Sequence, residues 1–135
     1  METSHVVYQG RLITEAVHLA SGTKIITDAP VDNHGKGSAF SPSDLLATSL
    51  ASCMFTVLGI ASEAHGFTID GASAKVTKIM TGDPRRVGEI RVEMTFPEIN
   101  YTEKEKELIR RIALTCPVAK SLHPDIKQDI EFIFP

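Results

Sequence analysis

Apolar and polar positions alternate along four stretches of this chain and crowd every face of a fifth. From His5 to Thr27, Val6, Tyr8, Leu12, Val17, Leu19, Ile25 and Ile26 recur in a loose alternation broken by Gly10 and by Ser21-Gly22. That pattern predicts short antiparallel strands joined by tight turns. Thr68 to Met80 and Val87 to Phe96 alternate more cleanly, and Thr81-Gly82-Asp83-Pro84 between them carries the residues of a turn, so the two form a hairpin. Ile126 to Phe134 brings Ile130, Phe132 and Phe134 to one face and predicts a closing strand.

The fifth stretch starts at Ser41-Pro42-Ser43-Asp44, with Ser41 as N-cap, Pro42 at the first helical position and an acid at the third, facing free backbone amides. A helix from there runs to about His65, where Gly66 stops it. Small and apolar residues lie on nearly all its faces, so the pattern predicts a central helix surrounded by protein. One short chain has difficulty enclosing a whole helix, which points to a partner subunit over part of it. Thr102-Glu103-Lys104-Glu105 opens a second helix, whose Leu108, Ile109, Ile112 and Ala113 form one apolar stripe and which Pro117 must end or kink. Cys116-Pro117 opens a short helical turn to Leu122, and Asp28 to Phe40, rich in Gly, Asp and Asn, reads as a loop. Strands, helix, hairpin, helix, strand is the order of an α+β fold, expected as a single domain over residues 1–135.

Length and composition fit that fold, with 135 residues of which 42% are hydrophobic and 23% charged. The formal net charge is −3 and no run of Lys or Arg is long enough to track phosphates, so nucleic acid is not expected as a partner. Leu45 to Ser62 is uncharged and about long enough to cross a bilayer. Its Thr48, Ser49, Ser52, Thr56, Gly59 and Ser62 make it too polar for a lone span, so no membrane association is expected. The first residues carry neither a basic leader nor an apolar segment, and the cytoplasm is the expected compartment. Two cysteines in a reducing compartment do not predict a structural staple, and any disulfide between them would be functional.

Those two cysteines are the candidates for chemistry. Cys53 lies inside the uncharged helix, where it is either a small buried hydrophobe or a shielded reactive thiol. Cys116 stands beside a helix N-terminus, where it either merely ends a helix or meets unpaired amides that favour a thiolate, and the second argument makes it the more acidic of the two. A thiol on each of two helices could approach and form a reversible disulfide, although spacing does not show that they do. The five histidines are scattered and no Cys-x-x-Cys occurs, so a dedicated metal site is not expected, and a two-thiol chemistry would require no cofactor. Gly35-Lys36-Gly37-Ser38 is too short for a phosphate loop.

The segment Ser41-Pro42-Ser43-Asp44-Leu45-Leu46-Ala47-Thr48-Ser49-Leu50-Ala51-Ser52-Cys53-Met54 resembles the first signature of the osmotically inducible protein C and organic hydroperoxide resistance (OsmC/Ohr) family. That signature is a proline-headed helix with an acid and leucine, then small residues up to a cysteine. Cys116-Pro117-Val118-Ala119-Lys120-Ser121-Leu122 resembles the second. Element order and length agree over essentially the whole chain. The resemblance implies an OsmC-like fold, antiparallel sheets wrapped around a long central helix in an intertwined homodimer. It implies a cysteine-based peroxidase in which Cys53 attacks a small hydroperoxide and Cys116 resolves the product, with an external dithiol as reductant. In family members an arginine held by a glutamate near the helix start activates the attacking thiol. Here Ser43 occupies the glutamate position and the acid is Asp44, about 13 Å along the helix axis from Cys53, and the candidate arginines are Arg11, Arg85 and Arg86. The departure resembles a divergent branch. Two other functions compete: a groove beside Cys53 that binds a small apolar molecule or senses redox state without turnover, and a structural stress protein with inert cysteines.

Overall fold

A computed structural model describes all residues from Met1 to Pro135. The chain forms two compact units, Met1–Leu46 and Ala47–Pro135.

The first unit is an antiparallel sheet of β1 (Ser4–Gly10), β2 (Ile13–His18) and β3 (Lys24–Asp28), in that spatial order. The loop after β3 contains one 3₁₀ turn, Val31–Asn33, and is folded around an aspartate. Asp28 is buried, and its Oδ2 accepts hydrogen bonds from the Ser38 backbone N–H at 3.0 Å and the Ser38 hydroxyl at 2.5 Å. These bonds hold its carboxyl below the ordinary carboxylate range. Gly35 passes so close over Ala29 that a Cβ there would lie 1.7 Å from the Ala29 carbonyl oxygen, so only glycine fits.

Helix α1 (Pro42–His65) starts in the first unit and runs on through the second. Its start is the predicted one: Asp44 N–H donates to Ser41 Oγ, and Ser41 N–H donates back to Asp44 Oδ2, each at 3.0 Å. Gly66, at φ +75°, takes the left-handed turn that stops it. The expected enclosure on all sides is not met within one chain. Ala47, Leu50, Ala51, Met54, Leu58 and Ser62 form a single buried stripe, whereas Ile60 stays 66% exposed. Length and composition would let α1 cross a bilayer, but its buried stripe is part of the core of the second unit.

The second unit packs that stripe against a sheet of order β4-β5-β6, formed by β4 (Ser73–Thr81), β5 (Arg86–Thr95) and β6 (Lys127–Ile133). The alternation works as predicted: Ile90, Val92 and Met94 of β5 are fully buried. Two expectations need correction. Thr68–Ala72 is a turn rather than the start of β4, because the Thr68 side chain accepts from Asp70 N–H and Gly71 adopts φ +91°. The sheet is also not wholly antiparallel: β5 pairs antiparallel with β4 but parallel with β6. The connection from β5 to β6 passes through α2 (Glu103–Ala113) and α3 (Pro117–Ser121), and a helical crossover is what parallel neighbours require. The α+β class itself is as expected.

Helix α2 begins at the predicted capping box, with Glu105 N–H donating to Thr102 Oγ1 and Thr102 N–H to Glu105 Oε1. Phe96, Tyr101 and Phe134 close one end of this core, Phe96 stacking on Phe134 with ring centroids 4.9 Å apart.

Candidate redox site

Proline builds this site. The ring of Pro117 disfavours helical backbone at the residue before it, so Cys116 is extended, with φ −62° and ψ 144°, between the end of α2 and the start of α3. Cys116 thereby becomes the N-cap of α3, and its Sγ accepts a hydrogen bond from Ala119 N–H at 3.3 Å. Val118, Ala119 and Leu122 pack against the core and seal the sulfur in, leaving Cys116 with 0% exposure. Cys53, on α1, is only partly buried. Cys53 lies near enough to act on the Cys116 thiol electrostatically, and both are free thiols.

The helix-end argument for Cys116 is therefore right about position and wrong about outcome. The Ala119 amide does favour a thiolate, but burial outweighs it, and the hydrogen bond to Cys53 and the charge at that neighbour add to burial. The Cys116 thiol is pushed up from its ordinary value of 9.0, not down. A five-residue helix presents few aligned peptide dipoles, whereas a sulfur removed from water loses all of its hydration.

The remaining candidates lie on turns and at a helix start. Arg86, the first residue of β5, donates from one guanidinium nitrogen to the carbonyls of Gly82 and Pro84, both at 2.9 Å, and so braces the β4–β5 turn, which holds Arg85. In the first unit Arg11 lies in the β1–β2 turn at φ +56°, and Asp44 caps α1. No group of three or more His, Cys, Asp or Glu residues is gathered that could hold a metal. Two open cavities of the second unit, of about 490 and 410 Å³, are lined around Ser52 and Phe55 and around Phe67 and Tyr101, and neither cysteine lines them. Sequence reasoning assigned no role to Ala119 and missed Gln128, whose side-chain amide donates to the Ala119 carbonyl at 3.0 Å. A polar residue on the apolar face of a strand was the available signal for Gln128.

Comparison with known proteins identifies the family. The model of the OsmC-like protein family matches residues 35–131, while no curated protein matches the chain. A solved structure from Psychrobacter arcticus 273-4, named for osmotic stress induction and detoxification response, is 55% identical, with 98% of this chain and 96% of that one covered and a TM-score of 0.94. An OsmC organic hydroperoxide resistance protein from Legionella pneumophila has the same fold at 15% identity, with 98% of each chain covered and a TM-score of 0.75. The organic hydroperoxide resistance protein OhrB of Bacillus subtilis does so at 14% identity, with 97% of this chain and 98% of that one covered and a TM-score of 0.71. With a family model spanning both cysteine segments, this chain belongs to the OsmC-like protein family.

Proposed function

We propose that this protein is a thiol peroxidase that reduces organic hydroperoxides, with Cys53 attacking and Cys116 resolving. The observation that carries the reading is the pairing of a partly accessible thiol on α1 with a fully buried one at the N-cap of α3, near enough for the first to raise the second. A hydroperoxide can reach the first sulfur, and the second is kept from direct oxidation at its side. The Cys53 thiolate attacks one peroxide oxygen and the O–O bond breaks. The sulfur becomes a sulfenic acid, and the leaving alkoxide takes up a proton and departs as an alcohol. The Cys116 sulfur then attacks the Cys53 sulfur, an S–S bond forms and water leaves. An external dithiol restores both thiols by exchange. The names of the Legionella and Bacillus structures support the same substrate class.

A homodimer is part of the proposal. Ile60 on α1 and Val6, Tyr8, Ile25 and Ile26 on the first sheet are between 43% and 66% exposed in one chain, and a second copy would cover them. An arginine, from among Arg11, Arg85 and Arg86, is the proposed activator of Cys53. The test follows cumene hydroperoxide consumption with dithiothreitol as reductant. Turnover that is lost in Cys53→Ser, while Cys116→Ser keeps a single fast turnover, supports both roles. Consumption no faster than that of a free thiol, and equal in both variants, would sink the proposal.

A further inference from the structure

The inward face of β6 is apolar except at one position. Opposite Ile90, Val92 and Met94 of β5 stand Gln128, Ile130 and Phe132, and directly paired residues share a face of the sheet. Ile130 and Phe132 pack on the core, as that face demands, while Gln128 places a half-buried amide there. An amide in such a place is unfavourable unless it is hydrogen-bonded. Gln128 Nε2 donates to the Ala119 carbonyl at 3.0 Å, and Ala119 is the residue whose N–H donates to Cys116 Sγ. The other bonds of α3 are local, from Lys120 N–H to Cys116 O, from Leu122 N–H to Val118 O and from Ser121 Oγ to Pro117 O. The Gln128 bond ties this five-residue helix to the sheet.

We infer that Gln128 is a positioning residue: its amide holds α3 closed over Cys116, which keeps the buried sulfur in register with Cys53 and out of solvent. That the positioned sulfur resolves a sulfenic acid rests on the proposed peroxidase; that α3 is held closed does not. A held helix keeps Cys116 at high effective concentration beside Cys53 and limits alternative oxidation of its sulfur. The hydrophobic packing of Val118 and Leu122 sets where α3 lies, and the one directional bond from Gln128 sets how often it opens.

The test begins in Cys53→Ser protein, where no internal disulfide can form and alkylation of Cys116 by iodoacetamide reports opening of α3. Gln128→Met keeps the length of the side chain and removes the donor, and labelling is expected to be roughly three- to tenfold faster. Gln128→Lys keeps a donor on a side chain of similar reach and should label within about twofold of the Gln128 protein. If Gln128→Met does not fold, Gln128→Glu, of equal size and without a donor when ionised, takes its place. In protein with both cysteines, exchange with glutathione disulfide converts two thiols to one disulfide and releases two glutathione thiols. Gln128→Met should lower that equilibrium constant by a similar factor. The first oxidation of Cys53, followed in Cys116→Ser, should not change. Equal labelling with and without the donor, or acceleration that Gln128→Lys does not reverse, overturns the inference. Failure of the parent protein to form any Cys53–Cys116 disulfide would count against the peroxidase, while the labelling comparison still decides the role of Gln128.

Discussion

If burial governs Cys116, the second half of the proposed catalytic cycle should be steeply pH-dependent. The Cys116 thiol is raised from 9.0 first by burial and then by its contacts with Cys53, against the pull of the Ala119 amide. Raised above its ordinary value, the Cys116 thiol is protonated in nearly all molecules at pH 7, leaving little thiolate. Attack on the sulfenic acid needs that thiolate, so the rate of disulfide closure should rise about tenfold per pH unit from about pH 6 to about pH 8.5, with no plateau below 9. Acid quenching at intervals after one equivalent of hydroperoxide, followed by intact mass, separates the sulfenic acid from the disulfide and gives the closure rate directly. A closure rate flat across this range, or one that levels off near pH 6, would mean that the helix end wins over burial. The order of causes assigned to Cys116 would then be wrong.

Three further outcomes concern stability. Phe96→Ala removes a side chain that is 1% exposed and stacked on Phe134, and should cost about 3–5 kcal/mol in urea unfolding; a loss below about 1 kcal/mol would contradict the core described. Thr102→Ala removes one half of the capping box and should cost about 0.5–2 kcal/mol by the same assay, whereas Thr102→Ser should be nearly neutral. Asp28 has a lowered folded-state value, chiefly through the Ser38 hydroxyl, so its contribution is present above 3.8 and is lost as pH falls through the folded value. Proteolytic nicking of residues 29–40 should therefore rise as pH drops below about 4 in the parent protein and be high already at neutral pH in Asp28→Ala; equal nicking in both at pH 7 would refute the anchoring role.

What was legible in the sequence is what local chemistry decides. Ser41, Pro42 and Asp44 fix the start of α1 and Gly66 its end, and Thr102 with Glu105 fixes the start of α2, because capping is settled within four residues. The hairpin β4–β5 follows from alternation and a turn. The parallel pairing of β6 did not follow, since alternation reports which face is buried and not which way the neighbouring strand runs. The turn at Thr68–Ala72 was masked by apolar Ile69, although Asp70-Gly71 is a turn signal. At the site, the two cysteine segments were visible, but their contact depends on how α1 and α3 pack. The direction in which Cys116 shifts depends on a burial that no neighbouring residue encodes. Gln128 was visible as a polar residue among Ile130, Phe132 and Phe134, and acquires meaning only through the Ala119 carbonyl.

The central claim is that Cys53 and Cys116 act as one redox pair. Its most direct test is peptide mapping after the reduced protein receives one equivalent of cumene hydroperoxide. The account predicts loss of two hydrogens from the chain, a single Cys53–Cys116 cross-link and, in Cys116→Ser, one added oxygen on Cys53. A protein that keeps both thiols, or that gains oxygen on either cysteine at similar rates without cross-linking, would contradict it.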